Sequence, residues 1–97
     1  GKKAGVYVVP ALGGMERRLG GAAEAGVHPG CLDWSRDGEW VVVSVTEAGQ
    51  PAAGLALLSV ETGAMRRLTW PPAGHPDYAA RFSPDGRSLG FVRRGMG

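Results

Sequence analysis

The chain repeats itself. Trp34-Ser35-Arg36-Asp37-Gly38 lies 48 residues before Phe82-Ser83-Pro84-Asp85-Gly86, and Gly14-Met15-Glu16-Arg17-Arg18-Leu19 lies 49 before Gly63-Ala64-Met65-Arg66-Arg67-Leu68. His28-Pro29 and His75-Pro76 fall in the same inter-strand loop of the two copies, with small differences of length between. Two independent matches at nearly one spacing define a period of 48–49 residues in a chain of 97. A unit of that size does not bury its own apolar faces and has to stack on its neighbours.

Each unit reads as four short antiparallel strands. The chain holds 17 Gly and 7 Pro, a density that also suits a low-complexity linker. Compact apolar runs between these punctuators argue against the linker: Val6-Tyr7-Val8-Val9, Trp40 to Val45, Leu55 to Val60, and Leu89 to Val92. In the intact unit the strands are predicted at Cys31–Ser35, Glu39–Thr46, Leu55–Val60 and Ala64–Thr69. The turns have sound chemistry. In Ser83-Pro84-Asp85-Gly86, Pro presets φ, Asp bonds nearby backbone, and Gly takes the left-handed position. Met15 to Leu19, continued through Ala22 to Ala25, has helical propensity. Its repeat partner runs into Trp70-Pro71-Pro72, which cannot continue a helix, so both segments are read as strands.

The second strand of the intact unit sets the packing. Val41, Val43 and Val45 point to one face, and Trp40, Val42 and Ser44 to the other. Both faces are largely apolar, so the sheet is expected to lie between neighbours rather than face water. A four-stranded sheet of about 40–50 residues stacked on its own copies is a β-propeller blade.

The same residues resemble a family. Phe82 followed by Ser83-Pro84-Asp85-Gly86, the degenerate Trp34-Ser35-Arg36-Asp37-Gly38, and Glu61-Thr62-Gly63 with the ending Arg66-Arg67-Leu68-Thr69 are similar to the TolB-type, WD-like β-propeller repeat. The likeness covers nearly the whole chain, although Arg36 stands where the family has proline. It implies an all-β fold of four-stranded antiparallel blades. Residues 1–97 would form a two-blade fragment: a half-blade at 1–20, a full blade at 30–69 and a complementary half-blade at 77–94. It implies little about activity. Similar blades occur in the periplasmic TolB protein, in propellers of prolyl-oligopeptidase-like serine peptidases, and in bacterial sensor regions behind kinases or winged-helix regulators.

Continuing the alignment, Val92 to Gly97 match Ser44 to Gly49, and Gly1 matches Gln50, so a copy placed head to tail continues the repeat in register. Both half-blades are then expected to expose open edges and uncovered faces. These would be covered by adjoining blades of a longer chain or by a second copy of this one, closing a ring through a heterologous interface.

Charge and composition narrow the partners. Eleven Lys and Arg against nine Asp and Glu leave +2, and the basic residues are scattered, a poor footprint for nucleic acid. No apolar run approaches the ~20 residues of a membrane span, and Gly1-Lys2-Lys3 leads into a strand-like segment, not a signal peptide. The expectation is a soluble protein of bacterial cytoplasm or periplasm, with no nucleic acid partner and no membrane insertion. A single cysteine, Cys31, excludes an intrachain disulfide and a cysteine-based zinc site.

Catalytic chemistry is not encoded. There is no Gly-x-Ser-x-Gly elbow and no Gly-rich phosphate loop after a strand. Asp37 and Asp85 occupy the turn position where Asp bonds backbone. His28 and His75 suggest a metal or a general base, but no acidic or thiol partners accompany them, and shaping of their loops is the simpler role. Cys31 reads as a small buried hydrophobe. Asp33 and Arg81 are equivalent positions on consecutive first strands and are expected to pair, or one of them to meet a ligand at a central channel. The doublets Arg17-Arg18, Arg66-Arg67 and Arg93-Arg94 read as charge guarding edge strands. Trp70-Pro71-Pro72 through Tyr78 is the most adhesive loop, with Trp70 either exposed as an anchor or packed beneath it. Candidate partner or channel contacts are therefore His28, Asp33, Trp70, His75, Tyr78 and Arg81, with no catalytic, metal or cofactor-binding residue and no cofactor. The expected function is a non-enzymatic scaffold that binds proteins or small ligands on the loops Gly20 to Gly30, Glu47 to Gly54 and Trp70 to Asp77. The rivals are an accessory propeller segment of a serine peptidase, a bacterial sensor or regulator module, and an engineered fragment.

Overall fold

A computed structural model describes residues 6–19 and 26–95, with only the backbone of residues 29–31. Eight strands follow one another: β1 (Tyr7–Val8), β2 (Arg17–Arg18), β3 (Gly26–Trp34), β4 (Trp40–Thr46), β5 (Gly54–Ser59), β6 (Met65–Arg67), β7 (Asp77–Phe82) and β8 (Leu89–Arg93). The described residues form no helix, and the protein is all-β. Of the segment Met15–Ala25 where helix competes on propensity, residues 20–25 lie outside the described residues, and Arg17–Arg18 is strand.

The strands form three antiparallel sheets in the orders β1-β2, β3-β4-β5-β6 and β7-β8. The middle sheet is set by its valines. In β4, Val41 lies opposite Leu58, Val42 opposite Leu57 and Val43 opposite Ala56, so β-branched and aliphatic side chains meet across the ladder on both faces. On one face Val41, Val43, Val45, Ala56 and Leu58 join Val6 and Leu19, which flank β1 and β2. On the other face Val42 and Leu55 join Ala80 of β7, with Leu57, Phe82 and Leu89 packed alongside. Each face of the middle sheet is therefore covered by one two-stranded sheet, as the two apolar faces of β4 lead one to expect. Leu58 is fully buried, and burying such a side chain contributes about 1.5–3 kcal/mol.

Strand β3 starts at Gly26, five residues before the predicted Cys31. Gly26 and Val27 pair with Thr46 and Val45, then a bulge separates them from Leu32, Asp33 and Trp34, which pair with Val43, Val42 and Val41. The bulge contains Pro29, whose missing N–H has nothing to give a ladder. Strand β7 carries a similar irregularity between Tyr78 and Arg81. Ala79 sits inside it at φ 57°, a left-handed conformation uncommon for a residue with a side chain.

Two tight turns share one hydrogen-bond set. After β3, the Ser35 hydroxyl donates to Asp37 Oδ1 at 2.6 Å, the Glu39 amide donates to the same oxygen at 2.9 Å, and the Trp40 amide donates to Ser35 Oγ at 3.0 Å. After β7, Ser83 Oγ, the Arg87 amide and the Ser88 amide repeat these bonds around Asp85 at 2.6, 3.0 and 3.1 Å. Gly38 and Gly86 close the turns at φ 77° and 75°, the conformation that glycine takes without penalty. In both turns the Ser hydroxyl first and the backbone amide second hold the Asp carboxyl below its ordinary pKa.

Polar contacts fix the sheets to one another. Asp33 Oδ2 accepts the Phe82 amide at 2.8 Å, and Arg36 Nη1 donates to the Pro84 carbonyl at 3.2 Å. Ser44 Oγ donates to the Asp77 carbonyl at 2.6 Å, and the Asp77 amide donates to the Ala53 carbonyl at 2.9 Å. On the opposite face, Arg17 donates to the Val60 carbonyl. The molecule measures 44 × 38 × 20 Å.

Candidate functional site

Two kinds of surface stand out: a cleft of mixed polarity between the middle sheet and the β7–β8 sheet, and the open flanks of the two-stranded sheets. The cleft opens where β3 and β7 begin and β4 and β8 end. It encloses about 650 Å3 and is lined by His28, Ser44, Ala53, Pro76 to Tyr78, and Arg94. His28 projects from β3 and places Nε2 2.7 Å from Thr46 Oγ1. His75 precedes β7 and places Nδ1 2.8 Å from the Arg94 carbonyl, while the Arg94 amide donates to the Pro76 carbonyl at 3.0 Å.

Asp77 closes the floor. Its side chain is fully buried, and Arg93 Nε and Nη2 grip its two oxygens at 2.6 and 3.0 Å. Burial alone pushes the carboxyl pKa up. The hydrogen bond from Arg93, another from Thr69 and the charges of Arg93 and Arg67 outweigh burial and hold it below the ordinary range. A second ion pair lies nearby: Arg67 Nη1 meets Glu47 Oε1 at 2.7 Å, with the Arg67 side chain almost wholly buried.

The six residues singled out by sequence scatter over this surface. His28 and Tyr78 line the cleft, and His75 props its Arg94 wall. The two histidines are not in equivalent settings, since His28 belongs to β3 and His75 to the connection before β7. Trp70 lies outside the cleft and is 61% exposed, so it does not pack beneath its loop. Asp33 and Arg81 are not joined: Asp33 takes the Phe82 amide, and Arg81 Nη1 donates to the adjacent Ala80 carbonyl at 2.9 Å. The side chain of Cys31 lies outside the described residues, as does part of the Gly20 to Gly30 loop.

Sequence reasoning passed over Asp77, Arg93 and Arg94 as members of a site. Arg93-Arg94 was visible as a doublet, but the match of His28-Pro29 with His75-Pro76 sets Gly30 against Asp77, so repetition carries no signal for it. Among the described residues no group of three or more His, Cys, Asp and Glu side chains could hold a metal ion. No described helix is long and apolar enough to cross a membrane.

Both two-stranded sheets expose apolar side chains. Tyr7 and Val9 are 47% and 60% exposed on β1 and its continuation, and Phe91 and Val92, on opposite faces of β8, are 40% and 46% exposed. Arg18 lies over the Tyr7 ring at 5.9 Å and Arg93 over the Phe91 ring at 5.8 Å, contacts that screen part of each aromatic face. Strand β1 pairs only with β2, and β8 only with β7, so each offers a free row of backbone donors and acceptors. Compared with known proteins, the chain matches no family model, no curated protein and no solved structure.

Proposed function

We propose that the protein is a non-enzymatic β-propeller scaffold of the TolB-like type that self-associates head to tail. The free edge of β8 in one copy pairs with the free edge of β1 in the next, completing a four-stranded blade. The observation that supports this most directly is the matching pair of open sheets, each two-stranded, edge-exposed and carrying exposed apolar side chains.

The middle sheet supplies a template for the junction. There β4 runs antiparallel to β5 with Val41 opposite Leu58, Val43 opposite Ala56 and Ser44 opposite Leu55. Carried through the sequence repeat, that register sets Leu89 opposite Val9, Phe91 opposite Tyr7, and Val92 opposite Val6 of the next copy. Two exposed aromatic rings then meet as a cross-strand pair, a favourable arrangement. The loops around the joined sheets are left free to carry binding.

Light scattering on the purified chain tests the proposal. The expected mass is a fixed multiple of 10.1 kDa at micromolar concentration, and replacing Tyr7 and Phe91 together by Lys lowers it to the single-chain value. A folded monomer of the unaltered chain at that concentration overturns self-association. It would point to blades supplied in cis, as in the propeller of a peptidase or a sensor protein.

A further inference from the structure

The cleft has a polarity that neither apolar core requires. Its walls are fixed by backbone: the Asp77 amide on Ala53, Ser44 Oγ on the Asp77 carbonyl, and the Arg94 amide on Pro76. Its volume of about 650 Å3 lies in the range of small-molecule sites. Charge within it is one-sided. The single acid on the wall, Asp77, has both oxygens occupied by Arg93. The Arg94 guanidinium and the Tyr78 hydroxyl make no hydrogen bond to any described residue, and the His28 ring uses only Nε2, on Thr46. Three hydrogen-bonding groups from three separate segments thus border a space whose remaining wall, Ala53, Pro76 and the Tyr78 ring, is apolar.

We infer that this cleft binds an organic carboxylate with an apolar body. The planar guanidinium of Arg94 matches a carboxylate through two parallel hydrogen bonds, the Tyr78 hydroxyl supplies a further donor beside the His28 ring, and Ala53, Pro76 and the Tyr78 ring seat the hydrocarbon part. One unpaired guanidinium, with a hydroxyl and an imidazole beside it, matches the flat two-oxygen edge of a carboxylate, and the apolar wall favours an organic ion over an inorganic one. Two sources share this chemistry: a free small acid, or the carboxylate at the end of a peptide chain. The site lies within one copy and does not depend on self-association.

Amide-detected NMR titration of the full chain with phenylacetate tests the inference. Saturable shifts are expected at Asp77, Tyr78 and Arg94 in the millimolar range, with phenylacetamide causing none at equal concentration. Arg94→Gln should weaken binding by about tenfold or more, the usual effect of losing a hydrogen bond to a charged group. Its side chain makes no hydrogen bond within the described structure, so the spectrum should keep its dispersion; should that variant fail to fold, Tyr78→Phe gives the same reading with a smaller loss. An acetylated tripeptide ending in Phe separates the sources. Tighter binding than phenylacetate, lost when the terminus is amidated, points to a chain end, and equal or weaker binding points to a free acid. Absence of shifts with both acids, equal shifts with phenylacetamide, or undiminished binding by Arg94→Gln overturns the inference.

Discussion

At the scale of single residues, Asp77 ties two sheets together and makes their joint sensitive to acid. Its folded carboxyl titrates below the ordinary range because Arg93 and its neighbours outweigh burial. The stabilisation is therefore complete above the unfolded value of about 3.9 and drains away as pH falls through the lower folded value. Asp77→Asn should cost about 2 kcal/mol near neutrality, less than a wholly buried pair because Arg93 is half exposed. Thermal melts of both proteins from pH 7 down to pH 2 would show the gap closing as the solution becomes acidic. A gap unchanged throughout would mean that the pair is not the cause. Ala79, held at φ 57°, should be relieved by Ala79→Gly, raising stability by about 0.5–1 kcal/mol in urea unfolding.

The residue scale also separates what was legible from what was not. Asp37 and Asp85 were readable because a turn is a local object: Ser, Asp and Gly at fixed offsets have few other ways to satisfy their bonds. Asp33 was readable as a contact between consecutive first strands but not as to its partner. Strict alternation along β7 would group Asp77, Ala79 and Arg81 on one face. The bulge shifts that alternation, so Asp77 and Ala80 are buried while Arg81 is turned out. Asp33 then meets the Phe82 amide, a backbone donor that no side-chain pattern advertises.

At the scale of elements, β4 was fully legible and β3 was not. Three apolar or small residues on each side of a short strand leave one packing solution, whereas the start of β3 depends on Gly26 and Val27 reaching across a bulge to β4. Leu58→Ala, emptying space between β5 and the β1–β2 sheet, should cost about 3 kcal/mol. Urea unfolding reads this as a lower midpoint at unchanged slope. Gly54→Ala should be at least comparable, about 2–3 kcal/mol. A methyl there would fall 2.5 Å from Arg67 Nη2 and still closer to the Thr69 carbonyl, which is backbone and cannot swing aside. A wild-type melting temperature for Gly54→Ala would show that β6 has room to retreat.

At the scale of the molecule, the middle sheet has four strands and each of its companions two. A three-layer stack with apolar, unpaired flanks has a standing tendency to recruit strands, which the Arg18 and Arg93 contacts temper without removing. The mass of the proposed assembly should accordingly hold steady over a wide dilution range and fall when salt-insensitive apolar contacts, not charges, are disrupted. Titrating sodium chloride against ethylene glycol in light scattering distinguishes the two. Dissociation by moderate salt alone would mean that charge pairs, and not joined sheets, hold the copies.

Every described strand pairs only with the strand before or after it in the chain. No ladder waits for a distant segment to arrive, so hairpins can close one by one as the polypeptide emerges from synthesis, and the loop-closure cost that slows most β proteins is small for these pairings. The same wiring makes the architecture extensible. A hairpin can be gained, lost or exchanged by recombination without rethreading any other, which gives evolution a simple route to sheet stacks of different length.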